Sequence, residues 1–190
     1  MRKEKSDNLH PLQKLVVLHL SKSGPQTINK TASDIKHHYK PSYIAFKTLE
    51  KKGIIRKAKI TEVKGRKFPL YWLTEEGLIL ALTEGASSTN LLKKTKEIYP
   101  NNKVLQLGLE MAPHINVRTF KVALTALRTK GKLEPADLIS IMITQMETDA
   151  PMKTFIQALE TFRKYPKEYE QFKQDITQIR ENFNKLIEKV

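Results

Sequence analysis

The chain has 190 residues, no cysteine, 39% hydrophobic residues, and 34 Lys or Arg against 20 Asp or Glu, for a formal net charge of +14. That length and apolar share suffice for one or two small domains with a real core, while the missing cysteine excludes disulfides, zinc-thiolate sites, cysteine-ligated iron-sulfur clusters and cysteine catalysis. No apolar run approaches the roughly 18 residues of a membrane span, and the start MRKEKSDNLH lacks the apolar centre of a secretory signal, so a soluble cytoplasmic protein without a membrane segment is expected.

Residues 1–9 read as a basic, polar lead. From Pro11, the residues Leu12, Leu15, Val16, Leu18 and Leu20 mark a strongly apolar helix that carries His19 as a core residue and is closed by Ser21-Lys22-Ser23-Gly24-Pro25. Ile28 is expected to form a short strand. Thr31, Ser33 and Asp34 can cap exposed amides, so a short helix is expected there with Ile35 facing inward. His37-His38-Tyr39-Lys40-Pro41 interrupts it, because proline pushes the residue before it away from helical angles while itself suiting the first turn of a new helix. A second helix is therefore expected from Pro41. Its Ser42, Ala45, Phe46 and Leu49 recur at the spacing of a buried stripe and leave Tyr43, Ile44, Lys47, Thr48 and Lys51 outside. Gly53 sits where that helix needs a left-handed terminator.

Beyond Gly53 the period becomes two. Ile55, Lys57, Lys59 and Thr61 fall on one side of a half-buried strand, with Arg56, Ala58, Ile60 and Glu62 on the other. Lys64-Gly65-Arg66-Lys67 reads as a cationic turn, and Phe68 to Leu73 returns as a second strand rich in aromatic and branched residues, with Tyr71 and Trp72 expected in the core. Thr74 then caps a helix with Glu75 and Glu76 in its first turn. That helix is apolar nearly all round from Leu78 to Leu82, so it is core or interface, and it ends at Gly85.

LEKKGIIRK (Leu49 to Lys57), the basic hairpin after it, and YWLTEEG (Tyr71 to Gly77) resemble the winged helix-turn-helix transcription regulators of the MarR, PadR and related prokaryotic groups, archaeal ones especially. The resemblance covers about the first 85 residues. It implies that the helix from Pro41 to Lys52 enters the DNA major groove and that the hairpin tip meets backbone or minor groove.

Charge is distributed accordingly. Residues 28–67 hold twelve Lys or Arg against Asp34, Glu50 and Glu62, a net of +9, while the flanking residues 1–27 and 68–85 are neutral as a group. A basic surface on a groove-sized helix and its hairpin is the electrostatic footprint of a nucleic-acid binder. Lys36, Lys40, Lys51, Lys64, Arg66 and Lys67 are the candidates for phosphate contacts. Ser42, Tyr43, Lys47 and Thr48 are the candidates for reading base edges, with Tyr43 and Ile44 also able to pack on a thymine methyl. His37 and His38 lie at the turn as further phosphate contacts.

Residues 86–190 carry a dispersed charge. Ala86-Ser87-Ser88-Thr89-Asn90 is the expected boundary, giving an N-terminal domain over 1–85 and an all-helical domain over 86–190. Helices are expected at about 90–99, 102–112, 117–130, 135–148, 151–164 and 166–190, separated by prolines and Gly131. In the last, Tyr169, Phe172, Ile176, Ile179, Phe183, Leu186 and Val190 follow the alternating three- and four-residue spacing of a coiled-coil seam, which either packs within its own bundle or pairs with a second copy.

No pair of histidines has helical metal-ligand spacing with an accompanying acid, and no phosphate-cradling glycine loop, nucleophile elbow or dinucleotide fingerprint is present. The expectation is a protein that is mainly α with a small β-hairpin, without catalytic residues, metal or cofactor. It would be a homodimeric, sequence-specific DNA-binding transcription regulator reading a pseudo-palindromic operator in double-stranded DNA, with a C-terminal domain open to a small-molecule or protein effector. The competing readings are a protein-interaction module of the transcription or replication machinery and an RNA-binding factor.

Overall fold

The computed structural model describes residues 9–115, 117–134, 137 and 152–187. These form two compact units, Met1–Ile98 and Tyr99–Val190. The described residues are mainly helical, with one two-stranded antiparallel sheet, and none of their helices is long and apolar enough to cross a membrane.

In the first unit, α1 spans Pro11–Ser23. His10 caps it: its Nδ1 accepts from the Leu12 amide at 3.4 Å while Gln13 Oε1 accepts from the His10 amide at 3.2 Å. The helix buries Val16, Val17 and Leu20, and leaves Leu15 at the surface. Helix α2 spans Ile28–Asp34, which revises two expectations. Thr27, not Thr31, is the cap, accepting from the Lys30 amide at 3.2 Å, so Ile28 opens the helix and is not a strand. The strand-like contact falls two residues earlier, where Gln26 exchanges both backbone hydrogen bonds with Tyr71 at 3.1 and 2.8 Å.

Helix α2 closes by bonds from the His37 amide to Ala32 and from the Lys36 amide to Ser33, with Lys36 in the left-handed region at φ 55°. This is a Schellman closure without its usual glycine. Helix α3 then runs Tyr39–Lys51, two residues ahead of the expected start at Pro41. Proline is tolerated in that first turn because the amide it lacks would have had no intrahelical partner. The stripe Ser42, Ala45, Phe46 and Leu49 is buried as the spacing predicts. Gly53, at φ 76°, closes α3 by the same motif, its amide reaching Glu50 and that of Ile54 reaching Leu49.

Strands β1 (Ile55–Val63) and β2 (Arg66–Leu73) pair from Ile55 opposite Leu73 to Val63 opposite Arg66. Lys64 and Gly65, with φ of 51° and 71°, are the whole turn. Two positive-φ residues suit the twist of a tight hairpin, so Arg66 and Lys67 belong to a strand instead of the loop. A bulge at Ala58, between Lys57 and Lys59, breaks the expected alternation of faces. Beyond it Ile60 is 71% exposed.

Helix α4 (Glu75–Thr83) is locked to the start of the hairpin. Thr74 Oγ1 accepts from the Gly77 amide at 3.2 Å and donates to the carbonyls of Gly53 (2.6 Å) and Ile54 (3.1 Å). A Cβ on Gly77 would overlap the Ile54 carbonyl oxygen, so only glycine allows this approach. Leu78 to Leu82 are all buried, which makes α4 core. Helix α5 (Ser88–Ile98) packs against α1 and buries Leu91 with the first unit. The units therefore divide after Ile98, downstream of the polar stretch at 86–90.

In the second unit, α6 (Lys103–Met111), a 3-10 turn (Ala112–His114), α7 (Val117–Lys130), α8 (Met152–Arg163) and α9 (Pro166–Ile187) follow the expected succession of helices. The helix expected at 135–148 lies outside the described residues apart from Asp137. Buried Gln106 is satisfied by donating to the carbonyls of Tyr99 (2.9 Å) and Pro100 (3.1 Å). Phe162, fully buried on α8, meets Phe172 and Tyr169 of α9 with ring centroids 4.7 and 6.4 Å away. The first two residues of the expected seam thus pack inside their own unit, while Ile176 is 40% exposed. The side chains of Ile179, Phe183, Leu186 and Val190 lie outside the described residues.

Candidate nucleic-acid interface

One side of α3 is open. Tyr39, Tyr43 and Ile44 are 52%, 41% and 56% exposed, an unusual display of large apolar groups on one helix face, and Lys40 and Lys51 are exposed beside them. The arrangement follows from the helical period: with Ala45, Phe46 and Leu49 drawn into the core, residues 39, 40, 43, 44, 47 and 51 must face outward. The rings of Tyr39 and Tyr43 are 5.9 Å apart, and Lys47 Nζ stands 5.9 Å from the Tyr43 ring. Phe46 meets Tyr71 of β2 edge-on at 5.3 Å, which holds α3 beside the hairpin.

Three of the four expected base readers are compromised as polar readers. Ser42 is buried, and its hydroxyl donates to the His38 carbonyl at 3.0 Å, so it belongs to the core stripe and not to the contact face. Thr48 donates its hydroxyl proton to the Ile44 carbonyl at 2.9 Å. Lys47 donates to Glu50 Oε2 at 2.8 Å. That bond, above all, holds the Lys47 ammonium above its ordinary pKa. Burial is the first cause of the raised Tyr71 pKa, with the Glu50 carboxylate adding to it. Of the four, Tyr43 stays the most available, 41% exposed, and Tyr39 joins it at 52%. Tyr39 escaped notice in the sequence because the helix was expected to begin after it; the spacing of 39, 43 and 47 was the available signal.

The candidate phosphate contacts all reach solvent. Lys36, His37 and His38 are exposed at the turn between α2 and α3, with His38 as the cap residue of α3. Lys64 forms the hairpin turn, and Arg66 and Lys67 lie exposed on β2 opposite Val63 and Glu62. Lys57 and Lys59 on β1 are exposed as well and extend the basic surface along the hairpin. Tyr71 and Trp72 are buried core. Behind the face, Asp34 joins Lys30 at 2.8 Å and lies 3.3 Å from His19 Nε2, and its carboxyl is held below the usual range chiefly by the Lys30 hydrogen bond.

Among the described residues no group of three or more His, Asp or Glu side chains is arranged to hold a metal ion. No family model, curated protein or solved structure matches this chain.

Proposed function

We propose that the N-terminal unit is a winged helix-turn-helix that binds double-stranded DNA, with α3 in the major groove and the hairpin along the adjoining backbone, and that the protein is a transcription regulator. One observation carries this reading: the open face of α3 and the hairpin beside it lie within residues 28–67, which hold a net charge of +9. Helix α3 has the dimensions of a major-groove reader. Lys36, Lys40, Lys51, Lys64, Arg66 and Lys67 supply affinity by displacing counterions from phosphates. A homodimer, paired through the seam of α9, would match a pseudo-palindromic site by its own two-fold symmetry.

The test is selection of bound fragments from the source genome followed by footprinting. The expected result is a protected site with two-fold symmetry and an affinity that falls linearly with the logarithm of salt concentration. Failure to retain any duplex at low salt would remove the proposal.

Ile60 and Val63, 71% and 53% exposed on β1, favour a second reading in which the hairpin docks on another protein of the transcription or replication machinery. A stable heteromeric complex from a chain with no affinity for duplex DNA would select it.

A further inference from the structure

Resting on the DNA-binding reading above, we infer that α3 discriminates sequence by apolar contact with thymine methyl groups, and that Ile44, with Tyr43 beside it, is the residue that does so. Bidentate reading of purines is done by arginine or lysine on guanine and by asparagine or glutamine on adenine, and of these Tyr39–Lys51 contains only Lys40, Lys47 and Lys51. Ser42 is buried, the Thr48 proton is committed to the Ile44 carbonyl, and the Lys47 ammonium is engaged by Glu50. Lys40 and Lys51 lie one turn below and two turns above Ile44, near the ends of α3, where they suit phosphates and not the base at the centre. What remains at that centre is Ile44, 56% exposed, and Tyr43, 41% exposed, whose hydroxyl is the one polar group left there and whose ring lies beside the Ile44 position.

A large aliphatic group standing in water at the middle of a cationic face gains on binding only where its partner offers apolar surface. Duplex DNA offers one apolar group in the major groove, the C5 methyl of thymine. The charge around Ile44 suits a polyanion, and its side chain suits that methyl. The ligand class is therefore duplex DNA with A·T pairs centred under α3, recognised by methyl burial more than by hydrogen bonding.

The full chain should be titrated, over a series of salt concentrations, with two duplexes of one mixed A·T-rich sequence. One contains thymine and the other uracil, which lacks only the methyl. Uracil should weaken binding about fourfold for each methyl covered, the equivalent of one buried methyl-sized group, with the salt dependence unchanged. Ile44→Ala should bind both duplexes alike, and because Ile44 is exposed this substitution leaves the core intact. A G·C-rich duplex carrying 5-methylcytosine should recover part of the affinity lost on plain G·C. Equal, salt-dependent binding of the thymine and uracil duplexes by the unaltered protein would overturn the methyl assignment and leave DNA binding standing. Absence of binding to every duplex at low salt would overturn both.

Discussion

Lys47 Nζ and Glu50 Oε2 are 2.8 Å apart on the exposed side of α3, so a cation on the face proposed to meet DNA is already paired with its neighbour. An exposed pair at this spacing contributes about 0.5 kcal/mol or less to stability. Its larger consequence is electrostatic. Glu50→Gln should release Lys47, tighten binding to random duplex DNA, and steepen the slope of log affinity against log salt by about 1. Melting temperature should hardly move. Unchanged binding, measured by fluorescence anisotropy across a salt series, would mean that this side of α3 does not face the phosphates.

Gly77 reverses an ordinary expectation. Replacing a helical glycine by alanine commonly stabilises a helix by up to about 1 kcal/mol, yet at Gly77, in the first turn of α4, the new methyl group would strike the Ile54 carbonyl. Gly77→Ala should therefore destabilise the first unit by about 1–3 kcal/mol, as overpacking does. Thr74→Ala, which removes the cap on Gly77 and the donor to Gly53 and Ile54, should cost about 1–2 kcal/mol. Denaturant unfolding followed by the fluorescence of Trp72, the single tryptophan, reads both.

In the proposed interface Lys36 would link stability and binding with opposite signs. It occupies a left-handed position at φ 55° that glycine would fill without steric cost. Lys36→Gly should raise stability by about 1 kcal/mol while weakening DNA binding and making the salt slope shallower by about 0.9. A variant that gains stability and loses no affinity would take Lys36 out of the phosphate-contact set.

Tyr165 provides a pH signature in the second unit. Its hydroxyl donates to Glu110 Oε2 at 2.7 Å while Lys164 holds the other oxygen at 2.9 Å. Burial, and then the Glu110 carboxylate, push the phenol well above the ordinary tyrosine range. A group whose pKa is raised on folding contributes stability that is complete below its unfolded pKa, about 10, and declines as pH rises beyond it. The midpoint of unfolding should thus fall more steeply between about pH 10 and 11 in the native chain than in Tyr165→Phe. Identical slopes would show that the phenol does not ionise differently in the folded state. Tyr71, also raised by burial, contributes equally to both proteins, so the difference isolates Tyr165.

Tyr169 and Phe172 decide where a truncation can test dimerisation. Because they pack on Phe162, removing all of α9 would strip core from the second unit. A chain ending at Asp175 keeps both rings and deletes the remainder of the seam. Light scattering should show a monomer, and a persisting dimer would locate the interface elsewhere.

Which parts of this were legible follows from the range of the interactions involved. The apolar stripe of Ser42, Ala45, Phe46 and Leu49, the glycine closure at Gly53, the threonine cap at Thr74 and the basic hairpin are each announced by a pattern a few residues long, and local chemistry signals them. Helix α2 begins after Thr27, four residues ahead of Thr31, directly behind the backbone bonds that tie Gln26 to Tyr71, a residue distant in sequence. The bulge at Ala58 was invisible for a related reason: strand period is a property of one strand, and register belongs to two.

By itself, the amino-acid sequence determined that this is a mainly helical protein with one cationic hairpin, because hydrophobic period, capping chemistry and charge are written residue by residue. Which side chains on α3 remain available to a partner was decided at two levels. Ser42, Lys47 and Thr48 have the right chemistry for reading bases, but hydrogen bonds to His38, Glu50 and Ile44, each three or four residues away, already engage them locally, and only tertiary packing decided which face of α3 stays exposed. What packing leaves at the surface is Tyr39, Tyr43 and Ile44, because Phe46 on the other side of α3 is held against Tyr71 of β2, a relationship between distant residues that no single stretch of sequence encodes.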